Sequence, residues 1–206
     1  MKNPYVLAFD CSTAEATVAL NTTRRVVAYG EQAAMLVPTI EELMQAAGIG
    51  YGDLDCIVST VGPGSFTGLR IALAALHGLA LASGCKVKVL TSAEAVAWGV
   101  GAGHFIVALN AGKGEAFLQA FEMRDGVPRA LGPITLHPQD VIHTLALPCF
   151  SNLWPADHIY YVAGPDAAVL VRIAPQLPES TLAKAMPYYI READAKIPLK
   201  PSWLAG

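Results

Sequence analysis

Two short segments carry residues whose types and spacing could do chemistry. The first is the turn Asp10-Cys11-Ser12-Thr13, which follows one apolar stretch and precedes another. A carboxylate can orient Mg²⁺, and hydroxyls with turn amides can bind phosphate oxygens, so Asp10, Ser12 and Thr13 form a candidate phosphate or nucleotide site. The same residue types are common in turns, where they hydrogen-bond to their own backbone. Both interpretations stay open from the sequence.

The second segment is the glycine-rich stretch G-P-G-S-F-T-G-L-R at positions 62–70. Its spacing fits neither a P-loop, which needs Lys and then Ser or Thr after the last glycine, nor the G-x-G-x-x-G dinucleotide fingerprint. Because glycine permits close backbone approach and proline stiffens a turn, we expect a loop of fixed shape between a strand and a helix. The residues that define this structural loop are Gly62, Pro63, Gly64, Ser65 and Gly68.

Hydrophobic periodicity predicts the elements that must position these segments. The strands of the first half are expected at 5–9, 16–21, 25–30, 56–61 and 86–90. Three helices are expected in this half. The first starts at Pro38 and ends at Gly48, the second covers 67–83 and the third covers 92–100. The order of strands and turns repeats after the glycines at 99, 101 and 103. We therefore predict two lobes, 1–101 and a shorter degenerate copy at 102–206, each a βββαβα unit with a mixed sheet flanked by helices.

The helix predicted from Thr67 to Ser83 has no charged side chain after Arg70 and is apolar nearly all round. An outer helix of a lone domain keeps a polar face, so this helix is expected to be covered by the C-terminal half of the chain or by a second subunit. Arg70 can pair with a partner carboxylate or a phosphate, or stay solvated. The predicted partner interface consists of Ile40, Leu43, Met44, Arg70, Leu73, Leu76, His77 and Ala80.

Composition limits the classes of function. The 206 residues are 53% hydrophobic and 15% charged, with a net charge of −3 and no run of Lys or Arg, which disfavours autonomous nucleic-acid binding. The four cysteines form no CxxC pair and the five histidines no HExxH or HxxxH pair, so neither a disulfide nor a metal site is expected. The first apolar segment, Tyr5 to Phe9, is too short for a signal peptide or a membrane span. We expect a cytoplasmic protein that binds no membrane.

The two segments together resemble the TsaB (YeaZ) family, whose members are accessory subunits in the bacterial synthesis of tRNA threonylcarbamoyladenosine. The family pattern I-L-x-x-D-T-S-T is similar to residues 6–13, where Cys11 replaces the usual Thr, and G-P-G-S-F-T-G-L-R is matched at every position. Weaker matches extend the resemblance over nearly the whole chain and lie at 108–117, 163–166 and 187–191.

This resemblance implies an α/β fold of duplicated lobes that is actin/Hsp70/sugar-kinase-like (ribonuclease H-like). It implies a non-catalytic scaffold that binds and activates the TsaD-type catalytic subunit in threonylcarbamoylation of tRNA adenosine 37, beside a TsaE-type ATPase. We expect a homodimer when the chain is alone, and tRNA contact only through the complex. No intrinsic cofactor is expected, and ATP or ADP would bind at the partner interface.

The alternative function is an independent ATP-dependent phosphotransferase or ATPase of the same superfamily. It needs phosphate loops in both lobes and a catalytic carboxylate between them, whereas Asn110 stands where the family usually has Asp. A metallopeptidase would need metal ligands at suitable spacing, which the sequence lacks. The tail from Ile197 to Gly206 is expected to pack on the C-terminal lobe or to fray.

Overall fold

Two β-sheets organise residues 3–100, 103–153 and 158–190, the part of the chain that a computed structural model describes. The strands of the first sheet are β1 (Val6–Asp10), β2 (Ala16–Leu20), β3 (Thr23–Val27), β4 (Cys56–Thr60) and β5 (Lys86–Leu90). They lie in the order β3-β2-β1-β4-β5, antiparallel from β3 to β1 and parallel from β1 to β5. The sheet is therefore mixed, as the sequence predicted.

The first half of the chain contributes the helices α1 (Gln32–Ala47), α2 (Phe66–Ser83) and α3 (Ser92–Ala97). α1 begins at Gln32 and not at Pro38, which lies inside it. Pro38 has no amide N–H, so it cannot donate a hydrogen bond to the Ala34 carbonyl four residues earlier. Both residues are exposed, so water can bind that carbonyl instead. An exposed proline therefore does not end this helix, and the predicted start was wrong.

The second sheet is built from strands that follow residue 103. They are β6 (His104–Gly112), β7 (Glu115–Arg124), β8 (Val127–Ala130), β9 (Thr135–Pro138), β10 (Cys149–Ser151) and β11 (Ile159–Tyr161). Their order is β11-β10-β6-β7-β8, with β9 also paired to β7. A short 3₁₀ helix, Gln139–Thr144, stands where the first lobe has α1, and α4 (Ala167–Ile173) follows β11. Among the described residues the second copy is thus reduced in its helices while it keeps its strands.

Each half of the chain contributes a helix that packs on the sheet of the other half. The predicted boundary near residue 101 therefore separates the two sheets but does not separate the helices that cover them. α1 and α2 pack on one face of the first sheet, around Leu7 and Phe9. α4, from the second half, covers the opposite face against Val58. α3, from the first half, packs on the second sheet around Phe105 and Phe121. Each sheet is flanked by helices, as predicted, but neither lobe is completed by its own half of the chain.

Six of the predicted interface residues lie in the core of the first lobe and not on its surface. These side chains are at most 5% exposed: Ile40, Leu43 and Met44 of α1, and Leu73, Leu76 and Ala80 of α2. They share the face of each helix that packs on the sheet, which is why they form an apolar stripe in the sequence. Their assignment to a partner surface is corrected here, since a buried side chain cannot contact a partner unless the lobe opens.

The other two predicted interface residues keep positions that a partner can reach. Arg70 is exposed, and His77 is half-buried with its Nε2 atom 3.0 Å from the carbonyl oxygen of Ala185. α2 is also long and apolar enough to cross a membrane, by length and composition alone. Its buried face packs on the sheet as that of a core helix does.

Candidate functional site

The glycine-rich loop packs directly on the Asp10–Thr13 turn, so the two segments selected from the sequence form one structural unit. The Ser65 amide donates to the Ser12 carbonyl at 2.8 Å. A Cβ atom on Gly64 would lie 2.3 Å from the Ser12 carbonyl oxygen, and one on Gly68 would lie 1.9 Å from the Cys11 carbonyl oxygen. No real Cβ atom comes this close to a backbone oxygen, so only glycine fits at either position.

The loop also connects two more distant parts of the chain, the start of α3 and the segment at Tyr188. The Gly62 carbonyl accepts from the Ser92 amide at 2.8 Å, at the start of α3, and the Val61 carbonyl accepts from the Tyr188 amide at 2.7 Å. Gly62 has a φ of 104°, which side-chain-bearing residues rarely adopt, and Pro63 is buried. At the other end of the loop, the Ser65 hydroxyl caps α2 by accepting from the Gly68 amide at 3.2 Å. The predicted loop of fixed shape is therefore present.

The Asp10 carboxylate is enclosed within this unit. It is fully buried; its Oδ2 atom accepts from the Ser12 amide at 3.0 Å and the Ser12 hydroxyl at 3.1 Å, and its Oδ1 atom accepts from the Thr60 hydroxyl. Burial raises the pKa of Asp10 to about 6, the hydrogen bonds oppose that rise, and the charge of Asp166 adds to it. Because the carboxylate is fully buried and accepts three hydrogen bonds from the fold, it offers no surface to Mg²⁺ or phosphate from solvent.

The segment before α4 fills the space next to the turn. The Ala167 amide donates to the Thr17 hydroxyl at 3.0 Å, and that hydroxyl lies 3.4 Å from the Pro165 carbonyl oxygen. A Cβ atom on Gly164 would lie only 2.5 Å from the Thr13 methyl carbon. The interpretation of Asp10, Ser12 and Thr13 as ordinary turn residues therefore fits the structure, and the interpretation as an open phosphate site does not.

The two departures from the family pattern have structural explanations. Cys11 is fully buried in the core under α2, and burial raises the pKa of its thiol, so it acts as a small apolar residue. The Asn110 side-chain oxygen accepts from the Gly112 amide at 2.8 Å and from Gln139 Nε2 at 3.3 Å, within the β6–β7 turn. Across residues 3–100, 103–153 and 158–190, no three His, Cys, Asp or Glu side chains come together as a metal site would need.

An apolar groove runs between α1 and α2 on the side away from the sheet. Its volume is about 580 Å³, and its lining includes Leu36 and Val37 of α1 and Ile71, Ala74, Ala75 and Gly78 of α2. Because the α2 side chains are small, the backbone of another helix can approach closely here. Met35 of α1 (43% exposed) and Leu81 of α2 (76% exposed) lie outside this lining. An exposed apolar groove of this kind is typical of a protein contact site.

The sequence prediction placed the partner interface on the buried faces of α1 and α2, whereas the apolar groove lies on their exposed faces. Ala74, Gly78 and Ala82 are spaced four residues apart and lie on the exposed side of α2, whereas Leu69 and Leu76 lie on the buried side. The small size of the exposed residues was the available signal. A stripe of Ala and Gly beside a stripe of Leu indicates one face for close helix approach and one face for the core.

The close contacts of the loop predict a strong effect of one added methyl group. Gly68→Ala places a Cβ atom against the Cys11 carbonyl, so the backbone must shift, and the free energy of unfolding should fall by about 3 kcal/mol or more. Urea unfolding followed by circular dichroism measures this loss.

The matched control lies in the same helix. The Cβ atom added by Gly78→Ala would meet no atom within 4 Å. Because alanine has a higher helix propensity than glycine, this substitution should stabilise α2 by up to ~1 kcal/mol. Equal effects of the two substitutions would contradict the contact between the loop and the turn.

The buried carboxylate predicts an unusual dependence of stability on pH. Because the folded-state pKa of Asp10 is about 6 and its ordinary value is 3.8, the protonated form is favoured in the folded state. The stability that Asp10 contributes is present below pH 4 and is lost as the pH rises through 6, by about 3 kcal/mol in total. Asp10→Asn should remove this loss, so urea midpoints of the two proteins should converge at pH 4 and separate at pH 7.5. Parallel pH profiles would show that Asp10 is not perturbed.

Comparison with known proteins gives matches of three kinds. The family model described as TsaD, tRNA N6-adenosine threonylcarbamoyltransferase, matches residues 27–197. The tRNA threonylcarbamoyladenosine biosynthesis protein TsaB of Haemophilus influenzae is 31% identical over 102 residues, which are 47% of this chain and 43% of that protein. The TsaB protein of Escherichia coli is 27% identical over 126 residues, 57% of this chain and 54% of that protein. The chain thus spans about half the length of each of these two TsaB proteins.

The solved structure of YeaZ from Pseudomonas aeruginosa superimposes on the whole fold. It has a TM-score of 0.75 and 25% identity, and the match covers 91% of this chain and 100% of that one. This likeness confirms the duplicated-lobe architecture that the sequence predicted. The chain belongs to the family whose model is described as TsaD, tRNA N6-adenosine threonylcarbamoyltransferase, and it is similar to TsaB (YeaZ) proteins.

Proposed function

We propose that this chain is a non-catalytic accessory subunit that binds a TsaD-type catalytic subunit and activates it for threonylcarbamoylation of tRNA adenosine 37. The observation that carries the proposal is the apolar groove between α1 and α2, which is exposed on the surface of the first lobe. The TsaB relatives, which are named for tRNA threonylcarbamoyladenosine biosynthesis, support the same pathway.

The groove fits a helix-bearing partner better than a small polar ligand. The lining named above has no charged side chain, and Ala74 and Gly78 allow another helix to pack at roughly 8–10 Å between axes. Docking would remove the exposed apolar lining of the groove from water, which adds hydrophobic stabilisation. A second copy of this chain presents the same face, so the free protein would form a homodimer through it.

The enclosed turn favours a binding role over a catalytic one. An independent phosphotransferase would need an open carboxylate, but both Asp10 oxygens accept hydrogen bonds from the fold. Asn110 supplies no carboxylate, and its exposed side-chain oxygen accepts from the Gly112 amide. ATP or ADP would then bind where this chain meets the catalytic subunit.

Other components of the proposed cytoplasmic complex supply what this chain lacks. A TsaE-type ATPase would join it. Because the net charge of the chain is −3, the catalytic subunit would make most of the contacts with tRNA.

A pair of alanine-to-arginine substitutions tests the groove. Ala74→Arg puts a long charged side chain into the groove on the exposed face of α2. It should raise the dissociation constant for the TsaD-type subunit at least tenfold, which corresponds to a loss of about 1.4 kcal/mol in binding free energy. Ala168→Arg makes the same change on the exposed surface of α4, across the sheet from α1 and α2, and should leave binding unchanged.

Titration calorimetry gives the dissociation constants, and thermal unfolding confirms that both variants fold. Substitutions at Leu73 or Leu76 are not suitable, because they would damage the core. Failure of the unaltered chain to bind the catalytic subunit, or normal binding by Ala74→Arg, would reject the proposal.

A further inference from the structure

A cluster of one cation and two aromatic rings lies at the start of α2, beyond the end of the groove. The guanidinium carbon of Arg70 lies 3.9 Å from the centroid of the Phe66 ring, and the Phe66 and Tyr189 ring centroids are 5.4 Å apart. Arg70 Nε lies 3.5 Å from the Tyr189 hydroxyl oxygen. Phe66 is 52% exposed and Tyr189 is 49% exposed, so both rings present large faces to solvent. We refer to these three residues as the Arg70 cluster.

The charge of Arg70 has no carboxylate partner in the part of the chain that the structure describes. Arg24 pairs with Asp166 at 3.0 Å and Arg25 with Glu42 at 3.4 Å, whereas the exposed Arg172, like Arg70, pairs with no carboxylate among the described residues. A guanidinium that is stacked on a ring is held in one plane, and its donor fork matches the geometry of a carboxylate. Arg70 is therefore positioned to bind an acceptor that comes from outside the described residues.

The Arg70 cluster is continuous with the groove. Arg70 lies four residues before Ala74, so both residues are on the exposed face of α2. α1 borders this face on one side. On the other side lies the returning segment that contacts His77 through the Ala185 carbonyl and ends in the cluster at Tyr189. One partner surface can thus cover the groove and the cluster together.

The composition of the cluster favours a protein over a nucleic acid. Aromatic residues, Met and Arg are enriched in the cores of protein interfaces. The segment that carries Tyr189 also exposes Met186 (65%) and Tyr188 (42%). RNA binding would require several cations to neutralise phosphates, whereas Arg70 is the only Lys or Arg of α2. The chain as a whole carries a net charge of −3.

We infer that the Arg70 cluster is an anchor of the interface, in which the guanidinium pairs with a carboxylate that lies beside an apolar side chain of the TsaD-type subunit. This inference rests on the proposed function. Stacking on Phe66 orients the guanidinium before the partner arrives, so less conformational entropy is lost on binding. Tyr189 and Met186 would exclude water around the pair, and a charge pair is stronger when it is desolvated.

Substitution of Arg70 separates the charge from the packing. Arg70→Met keeps an apolar chain over the Phe66 ring but removes the charge, and it should raise the dissociation constant for the TsaD-type subunit about tenfold or more. Arg70→Lys keeps the charge but lacks the planar donor fork of the guanidinium. Its dissociation constant should fall between those of the unaltered chain and Arg70→Met. Arg172→Met, on the exposed surface of α4, is the matched control and should change affinity less than twofold. Calorimetry measures the affinities, and thermal unfolding checks the fold of each variant.

Charge reversal identifies the acceptor. Arg70→Glu should abolish binding. When the surface Asp and Glu residues of the TsaD-type subunit are replaced by Lys one at a time, one of these substitutions should restore it. Restoration by a single site would assign the carboxylate. If Arg70→Glu binds weakly and no such substitution restores affinity, the carboxylate pair is rejected.

The remaining outcomes distinguish this inference from the proposed function. Unchanged affinity of Arg70→Met, together with loss of binding by Ala74→Arg, would overturn the role of the cluster and leave the accessory-subunit proposal standing. No binding by the unaltered chain would overturn both. If Arg70→Met keeps its affinity for the partner but loses retention of a single-stranded RNA oligonucleotide, the cluster binds RNA and the inference is wrong.

Discussion

The approach of two glycine α-carbons to two carbonyl oxygens is the constraint on which the rest of this structure depends. Gly64 and Gly68 bring the start of α2 against the Ser12 and Cys11 carbonyls, at distances that no side chain permits. This contact fixes where α2 begins and how it is rotated on the sheet. The rotation in turn determines that the Leu-rich face is buried and the Ala- and Gly-rich face is exposed. A local steric requirement thereby defines the surface that a partner would meet.

The same contact gives the Asp10 turn a structural role in place of a chemical one. With the loop on one side and the segment before α4 on the other, the carboxylate is sealed among the Ser12 and Thr60 donors. The fold keeps an ionisable group in its interior, and the three hydrogen bonds only partly offset the desolvation of that group. The exposed apolar surface of this lobe lies in the groove between α1 and α2. The proposed binding role needs that surface and no open cleft at Asp10.

The sequence predicted the features that local rules control. Glycine and proline spacing predicted the fixed loop, and apolar segments predicted the strands of the first sheet. It did not predict contacts between distant residues: nothing near Asp10 shows that Thr60 will donate to it or that Gly164 will close the turn. Pro38 was taken as a helix start because the exposure that lets α1 accommodate it depends on tertiary packing. Apolar stripes on α1 and α2 were assigned to a partner because periodicity identifies an apolar face without telling which surface covers it.

The crossing of helices between the two halves has a consequence for the order in which the molecule is made. On the ribosome, the first sheet emerges complete in its strands after β5, yet α4 covers one of its faces only when the second lobe has followed. The far border of the α2 surface comes still later, with the segment that ends at Tyr189. A nascent chain therefore has a bare sheet face from the completion of β5 until α4 is made. A partner that used the whole α2 surface would bind only after the segment that ends at Tyr189 had been made.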